Sequence, residues 1–371
     1  MKFINLYVSH NLIISEEEDK RSIKMKNIQK KDKNATIEDV AKAANVSITT
    51  VSRVLNKNYK MVNVNTAKRV LKVIEELDYH PNAMARGLHS KTTKTIGLIV
   101  QDISNPYYHK FIQSVECNAQ ELGYTIILAS AQRSREQAIK YFNIMREKRV
   151  DGFIIIGGGV IEDSDERNPF NKGNLPIVVI GKPYSSRLSS VQLDNVMAAK
   201  QVCGFLIELG HRRIATITGG ISSITSAERT QGYEEALKEY GIDYKKEYII
   251  EGNFELESGF CAINKISKIG GVNGITAIFA QNDLMAIGAM KALQKKGFCV
   301  PKDISIIGFD NIQATSFVTP ALTTVEIPYE EMGRIAISNL NDIINGNEYR
   351  KTVYLHARIK ARDSHSHFKN D

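Results

Sequence analysis

The chain of 371 residues has few of the features that mark membrane, exported or disulfide-bonded proteins. It contains no run of about 18 or more apolar residues, so no segment is predicted to span a membrane. Residues 1–15 are apolar only in patches and lack the continuous core and cleavage site of a signal peptide, so we expect a cytoplasmic protein. The four cysteines are scattered without metal or redox spacing, which predicts reduced, buried thiols.

Motifs of the common enzyme classes are also missing. The sequence has no P-loop, no GxGxxG after a predicted strand, no GxSxG and no HExxH. The glycine run at 157–159 is weak evidence for a phosphate site, and a lone histidine beside two arginines, His211, is more often structural. The sequence therefore favours a protein that is not an enzyme and that uses no cofactor or metal.

Positive charge is concentrated at the front of the chain. Residues 1–93 hold 17 of the 49 lysines and arginines and 10 of the 41 acidic residues, a net charge of +7 out of +8. A basic front end on a near-neutral body indicates that the front end meets a polyanion, although a basic tail can also serve solubility alone. Residues 1–35 are expected to form a charged, disordered extension.

Two short helices with a tight turn are predicted from Thr36 onwards. Thr36 is an N-cap candidate with Asp39 at capping-box distance, and Ser47 caps a second helix that runs to about Leu55. A third helix is predicted over 66–77. The apolar residues at helical spacing are expected to form a small core of Ile37, Val40, Ala41, Ala44, Val51, Val54, Leu55, Val70, Leu71, Ile74 and Leu77.

Such a helix-turn-helix inserts its second helix into the major groove of DNA. The short side chains at the start of that helix permit close approach, and Arg53 can reach a guanine edge. Thr36, Ser47 and Asn56 carry groups that suit phosphate contacts. The alternative is an ordinary three-helix bundle in which the serines and threonines are only caps.

Three stretches of the sequence closely resemble the lactose-repressor family of bacterial transcription regulators. They are "TIEDVAKAANVSITTVSRVLN", "YHPNAMARGL" and "KTIGLIVQDISNPYY". The resemblance extends from Thr36 to about Ser364. It implies base contacts by Ile48, Thr49 and Arg53, with Thr50 on the same helix. It implies phosphate contacts by Thr36, Ser47 and Asn56.

The stretch "PNAMARGLHS" at 81–90 is too short to form a stable helix alone. The resemblance implies that residues 81–93 are a hinge helix and linker, helical when two copies of the chain pack together on operator DNA. Leu88 would wedge into the minor groove, with Ala83 and Arg86 in the same contact set. A homodimer on a palindromic operator follows, and a plain flexible linker is the alternative.

From residue 95 onwards, short apolar runs alternate with amphipathic helical stretches. Two series of predicted parallel strands imply two α/β lobes, with a crevice at the carboxyl ends of the strands. An eight-stranded barrel is the alternative, but "SSVQLDN" at 189–195 interrupts the pattern. The predicted fold is an all-α DNA-binding domain followed by a two-lobed body similar to periplasmic binding proteins. Its predicted segments are 36–80 (head), 94–193 with 324–346 (first lobe) and 194–323 with 347–371 (second lobe).

Polar residues collect where the predicted strands end. Carboxylates, amides, a guanidinium and an aromatic ring suit a polyhydroxylated ligand, since hydrogen bonds orient it and the ring packs on a sugar face. Arg229 is expected to begin a helix, and Asp283 is expected to be a helix cap. The resemblance places Arg229, Phe254, Asn282 and Asp310 at effector-contact positions. The full predicted effector-binding set is Gln101, Asp102, Asn105, Arg229, Phe254, Asn282 and Asp310.

The predicted function is therefore a transcriptional repressor that binds double-stranded operator DNA as a homodimer and is controlled by a small-molecule effector. "VVIGKPYSS" resembles the maltose-operon repressors, which implies maltose or a maltodextrin. The alternatives are a catabolite-control regulator, triggered by a phosphorylated carrier protein, and a purine- or pentose-responsive repressor. A sugar-transport protein has the same body, but it would need an export signal and would lack the helix-turn-helix.

Overall fold

The computed structural model separates into two compact units, Met1–Thr93 and Lys94–Asp371, and each is considered by itself. The predicted contacts of Ala83, Arg86 and Leu88, the extension before residue 35 and two glycines of the 157–159 run lie outside the described residues. The structure describes residues 35–80, 92–157, 170, 175–183, 188–220, 222–243, 245–268, 274–347 and 351–368.

The described part of the first unit contains three α-helices, α1 (Ile37–Ala43), α2 (Ile48–Leu55) and α3 (Val64–Glu76), and a short 3-10 helix at Tyr59–Met61. The predicted capping box is confirmed. The Thr36 hydroxyl accepts from the Asp39 amide, and the Asp39 carboxylate accepts from the Thr36 amide at 2.9 Å. Ser47 caps α2 by accepting from the Thr50 amide at 3.2 Å, also as predicted.

The small core of this unit differs from the prediction along α3. The helix buries Ala67, Val70 and Val73, whereas Leu71 and Leu77 are 45% and 38% exposed. Leu71 lies roughly 100° around the helix from the centre of the buried face, at 100° per residue. Leu77 is the C-cap, where the helix ends, and Tyr79 packs into the core beyond it. The prediction that these two leucines close the core is therefore wrong.

The second unit contains two parallel sheets, and so the eight-stranded barrel is excluded. The first sheet has the order β2-β1-β3-β4-β5-β11, and the second has the order β7-β6-β8-β9. A separate antiparallel pair joins β10 to β12. The strands are β1 (Thr95–Val100), β2 (Thr125–Ser130), β3 (Gly152–Ile156), β4 (Ile177–Ile180), β5 (Ser189–Leu193), β6 (Ile214–Thr218), β7 (Ile249–Glu251), β8 (Ala277–Ala280), β9 (Ser305–Ile307), β10 (Thr324–Glu326), β11 (Thr352–Leu355) and β12 (Arg358–Lys360).

Helices cover both faces of these sheets. The first lobe is the first sheet with its helices, and the second lobe is the second sheet with its helices. The first lobe has α4 (Tyr107–Glu121), α5 (Arg135–Glu147) and α10 (Tyr329–Ile344). The second lobe has α6 (Asn195–Glu208), α7 (Ile224–Glu239), α8 (Leu256–Lys268) and α9 (Asp283–Lys295). None of the helices within the described ranges is long and apolar enough to cross a bilayer.

Burial on both faces explains why the strands are continuous apolar runs. Along β3, Ile154 and Ile156 pack with the α4 and α10 side of the sheet. The alternate residues Phe153 and Ile155 pack with Phe142 of α5 on the other side. Side chains of a strand alternate between faces, so a strand covered on both sides has no polar face.

Two predicted segments have different roles in the structure. "SSVQLDN", predicted as an interruption, contains β5, which pairs with β4 in the first sheet. The segment 347–371 was predicted to lie wholly in the second lobe, but its strand β11 pairs with β5 in the first sheet. The unpaired edge of β5 accepts this short strand, and the chain joins the second lobe later, where Ser364 accepts from the Ile306 amide at 2.7 Å. The prediction is therefore wrong for β11.

Close packing of α8 on α9 gives a stability prediction. A methyl group at Gly288 of α9 would overlap the carbonyl oxygen of Leu256 of α8. Gly288→Ala is expected to cost about 1–3 kcal/mol, as overpacking does, measured by urea unfolding.

Gly204→Ala is the matched control, because the nearest atom to a methyl group there is the Tyr240 hydroxyl at 3.8 Å. Alanine should instead stabilise α6 by about 0.5–1 kcal/mol through its higher helix propensity. A Gly288→Ala protein as stable as the Gly204→Ala protein would contradict the proposed contact.

Candidate ligand cleft and nucleic-acid interface

A cavity of about 440 Å³ lies between the two lobes, at the carboxyl ends of their strands. In each sheet the strand order reverses beside the first strand of the lobe, at β1/β3 and at β6/β8. Loops diverge at such a reversal and leave a crevice. Gln101 and Gly157 line the cavity after β1 and β3, and Gly220 and Asn282 line it after β6 and β8. The two crevices therefore face one another and form one cavity.

Six of the seven predicted effector-binding residues line this cavity: Gln101, Asn105, Arg229, Phe254, Asn282 and Asp310. Asp102 is not among the lining residues. Its Oδ1 accepts from the amide and hydroxyl of Ser104, and its Oδ2 lies 3.4 Å from Nε of Arg133. The structure therefore gives Asp102 a local role behind the cavity wall.

Arg229 lies in the second turn of α7 and does not begin the helix, as the sequence had predicted; Ser223 is the N-cap. The side chain is buried, and its charged plane stacks 3.5 Å from the centre of the Phe309 ring. Nε donates to Oδ1 of Asn195 at 3.0 Å, and Nη1 donates to the carbonyl of Gln281. These contacts fix the guanidinium in one position.

Asp310 is the carboxylate that faces this guanidinium. Oδ1 of Asp310 lies 3.8 Å from Nη1 of Arg229, which is an ion-pair distance but too long for a hydrogen bond. This oxygen is buried and has no hydrogen-bond partner among the described residues. Burial raises the pKa of Asp310 well above 3.8, Arg229 opposes the rise, and Asp283 adds to it. Asp310 is therefore a lining residue of the cavity that carries a buried, unused acceptor.

Phe254 and Asn282 also line the cavity from the second lobe. Phe254 has a φ of 66°, and its ring lies directly over Gly219, where any side chain would overlap it. Asn282 donates from Nδ2 to the Phe254 carbonyl at 2.8 Å and accepts from the Met285 amide at 3.0 Å. Asn282 is thus the N-cap of α9, and the prediction that Asp283 is the cap is wrong.

The sequence missed several residues that line the cavity. Tyr108 donates to Oε1 of Gln101 at 2.8 Å, and burial raises the pKa of Tyr107, with the charge of Asp310 as the next cause. Lys182 and Asn253 are each the second residue after a strand, β4 and β7, and this position is the sequence signal that could have found them. The missed lining residues include Tyr107, Tyr108, Arg133, Lys182, Ser222, Ser223, Thr225 and Asn253.

Two of these residues form ion pairs from one lobe to the other. Arg133 of the first lobe pairs with Glu255 of the second, and Lys182 of the first lobe lies 2.8 Å from Glu228 of the second. With the Arg229–Asp310 pair, each of the three cationic side chains in the cavity has a carboxylate partner. The cavity therefore offers no unpaired positive charge among its described residues. Within the described ranges there is no group of three or more His, Cys, Asp or Glu side chains that could hold a metal ion.

A second candidate surface lies on α2 in the first unit. Ile48 is 46% exposed, and Thr49, Arg53 and Asn56 are also exposed. Core packing does not account for an exposed isoleucine at the start of a helix. The hydroxyls of Thr36 and Ser47 act as caps and stay exposed, while Thr50 is half-buried beside Ser47.

Two family models match the chain. The first, "Bacterial regulatory proteins, lacI family", matches residues 36–82. The second, "Periplasmic binding proteins and sugar binding domain of LacI family", matches residues 93–362. The chain belongs to the LacI family. Members of this family are transcriptional regulators with a helix-turn-helix head and a two-lobed α/β body, and both parts are present here.

Two curated LacI-family relatives are similar over nearly their whole lengths. The HTH-type transcriptional repressor PurR of Photorhabdus laumondii is 39% identical over 341 residues, covering 89% of this chain and 96% of its own. Catabolite control protein A of Priestia megaterium is 38% identical over 334 residues, covering 89% and 99%. Neither name specifies maltose. The LacI-family assignment therefore establishes a DNA-binding repressor with a sugar or other small-molecule effector, without identifying that effector.

A solved structure of the family is similar as well. The lac repressor dimer bound to operator and the anti-inducer ONPF has a TM-score of 0.80 and 26% identity, covering 90% of this chain and all of its own.

The buried ion pair yields a pH-dependent prediction. Arg229→Met should lower the free energy of unfolding by about 3–5 kcal/mol at pH 8, because it strands a buried carboxylate. The loss should be smaller at pH 5. Burial raises the pKa of Asp310 in the folded protein, so more of this carboxyl is neutral at pH 5 than at pH 8. As the pH rises through that pKa the proton is lost, and the variant then holds a buried carboxylate without its counter-charge. Urea unfolding at both pH values measures the difference.

Lys182→Met is the control, because the Lys182 side chain is half-exposed. Its pair with Glu228 is expected to contribute about 0–1 kcal/mol at either pH. An equal loss for Arg229→Met at pH 5 and pH 8 would show that Asp310 does not titrate against Arg229.

Proposed function

We propose that this LacI-family repressor binds a palindromic operator as a homodimer and that a neutral sugar in the cleft controls it. The unused acceptor of Asp310 and the ring of Phe254, two residues that line the same cavity, carry the proposal about the ligand. A sugar supplies what this pair lacks, since its hydroxyls donate to a carboxylate and its C–H face packs on an aromatic ring. The volume of the cavity is typical of sites for small ligands.

The charges of the cleft support an uncharged ligand. Arg133, Lys182 and Arg229 each have a carboxylate partner, so a phosphorylated sugar would bring two negative charges to a site with no free cation among the described residues. Burying unpaired charge is costly. A neutral disaccharide such as maltose is therefore a better candidate than any sugar phosphate.

The exposed side of α2 supports the proposal about DNA. Arg53 would read a guanine edge in the major groove, and a protein dimer would place two such helices on the two halves of a palindrome. The similar lac repressor structure is a dimer bound to operator. The proposed base contacts are Ile48, Thr49, Thr50 and Arg53, and the proposed phosphate contacts are Thr36, Ser47 and Asn56.

A second candidate is control by a phosphorylated carrier protein in place of a sugar. The 38% identity to catabolite control protein A favours it. A purine effector is favoured in the same way by the 39% identity to PurR. Both are outcomes of the ligand experiment below.

For the DNA surface, Arg53→Ala should weaken operator binding by about 1–3 kcal/mol, the value of a good bidentate base contact. Affinity for random DNA should change much less. Fluorescence anisotropy with operator and scrambled duplexes measures both. Lys72→Ala on α3 is the control, because Lys72 is exposed and pairs only with Glu76. Equal losses on both duplexes would assign Arg53 to phosphate.

For the cleft, thermal unfolding is measured with maltose, glucose, glucose 6-phosphate, hypoxanthine and a serine-phosphorylated carrier protein. At a hundredfold excess over Kd, a neutral sugar should raise the Tm by roughly 5–10 °C, and glucose 6-phosphate should not. Asp310→Asn should lose this response and keep operator binding.

Asp303→Asn is the control, since Asp303 is an exposed aspartate of the same lobe that lies outside the cavity lining and accepts a hydrogen bond from the Cys299 amide. Stabilisation by hypoxanthine or the carrier protein alone would reject the sugar proposal. Stabilisation by glucose 6-phosphate equal to that by glucose would reject the argument from charge.

A further inference from the structure

One buried carboxylate near the cleft has no place in the ligand site described above. Asp283, the first residue of α9, is completely buried and does not line the cavity. Its Oδ2 accepts from the Ile312 amide at 2.8 Å, and its Oδ1 accepts from the hydroxyl of Thr324 on β10. The backbone at Gly308 passes so close that any side chain there would overlap Oδ1. Asp283 is thus enclosed by the segment that carries Asp310.

That segment contains a strained turn. Asp310 and Asn311 have φ values of 112° and 55°, in a region that residues other than glycine adopt only at a cost. The contacts of Asp283 lie on both sides of this turn. Ile312 follows it directly, and the Thr324 hydroxyl accepts from the Asn311 amide at 3.3 Å. These contacts therefore help to hold two consecutive residues in the left-handed region.

The same turn is attached to the strand that crosses between the lobes. The Asp310 amide donates to the carbonyl of Val325 on β10 at 3.0 Å, and Nδ2 of Asn311 donates to Glu326 at 3.0 Å. The hydroxyl of Tyr329 in the first lobe donates to the carbonyl of Asp310 at 2.7 Å. The position of the Asp310 side chain therefore depends on how this turn lies against β10.

We propose that Asp283 is a positioning residue for Asp310: its two carboxylate oxygens hold the left-handed turn against β10 and thereby aim the Asp310 carboxylate into the cleft. Asp283 also connects the Asp310 carboxylate to the crossover strand β10. A ligand that displaces Asp310 would therefore also displace the connection between the lobes. The proposal relies on the proposed function for the identity of the ligand, but the geometry of the turn is independent of it.

Asp283 also acts on Asp310 through its charge. Burial raises the pKa of Asp283 to about 7, against the opposing effects of the Thr324 and Ile312 hydrogen bonds and of Arg362. Its negative charge in turn helps to raise the pKa of Asp310, against Arg229, and also that of Tyr329. Tyr107 and Tyr108 of α4 also face the charge of Asp310, which adds to the effect of burial in raising the pKa of each. Removal of the Asp283 charge should therefore lower the pKa of Asp310.

The first test needs no ligand. We refer to the hydrogen bonds that Asp283 and Thr324 make to the turn as the clamp. Asp283→Asn and Thr324→Val each remove part of it with little change in side-chain volume, and Asp303→Asn is again the control. Amide hydrogen exchange at Asn311 and Ile312 should become roughly tenfold faster or more in both variants, the value of a hydrogen bond to a charged acceptor. Exchange in β8 should not change. The double variant should exchange no faster than the faster single variant, because both act through one clamp. Unchanged exchange at the turn in Asp283→Asn and Thr324→Val would overturn the proposal.

A pH profile separates positioning from a general structural role. Both pKa values are raised, so the wild-type Tm should fall as the pH rises from 5 to 8, and this fall should be smaller in Asp283→Asn. A variant with the wild-type slope would count against a coupled pair.

The second test uses maltose, or whichever sugar of the panel stabilises the wild type. Asp283→Asn should weaken sugar binding roughly tenfold, leave operator binding unchanged, and shift the acid-side loss of sugar affinity to lower pH. Wild-type sugar affinity and an unshifted profile in Asp283→Asn would overturn the proposal. If the wild type binds no sugar at all, the proposed function fails, while the exchange and pH measurements still decide the role of Asp283.

Discussion

When helices cover both faces of a parallel sheet, polar side chains can lie only at the ends of its strands. β3 is apolar throughout because α4 and α10 pack on one side of it and α5 on the other. All carboxyl ends of a parallel sheet lie along one edge, so residues far apart in sequence meet there. Asn282 and Asp310, which follow β8 and β9 of the second sheet, line one cavity for this reason. The site is a consequence of how the core is covered.

This constraint also explains how much was predictable from the sequence. Gln101, Asn282 and Asp310 follow apolar runs directly, so their place at the cavity could be inferred from where each run stops. Arg133 could not, because it reaches the cleft from a left-handed loop and by pairing with Glu255 of the other lobe. The pairing of β11 could not either, since a short strand of alternating exposure fits any free sheet edge. The local sequence pattern determines which helices and strands form. Which strands pair and which side chains form ion pairs across the fold depends on the sheet edges and charges that are left without a partner.

Several of the strained backbone positions lie in or beside the wall of the cleft. Phe254, Asp310 and Asn311 all have positive φ, and each is held by a hydrogen bond from a neighbouring element. Asn282 donates to the carbonyl of Phe254, and Tyr329 donates to that of Asp310. Strain of this kind persists only where the surroundings enforce it. The residues behind the wall are thus as necessary to the shape of the site as those that line it.

The ion pairs between the lobes have a consequence for how such a protein responds to its medium. The Arg133 and Glu255 side chains are 37% and 39% exposed, so dissolved salt weakens their attraction. Contacts between a basic head and DNA phosphates weaken with salt as well, through the release of bound counterions. Ionic strength therefore acts at two separate places, on the ion pair across the cleft and on contacts between a basic head and DNA. The salt concentration is therefore a variable, separate from the effector, that any comparison of DNA affinities for this protein has to hold constant.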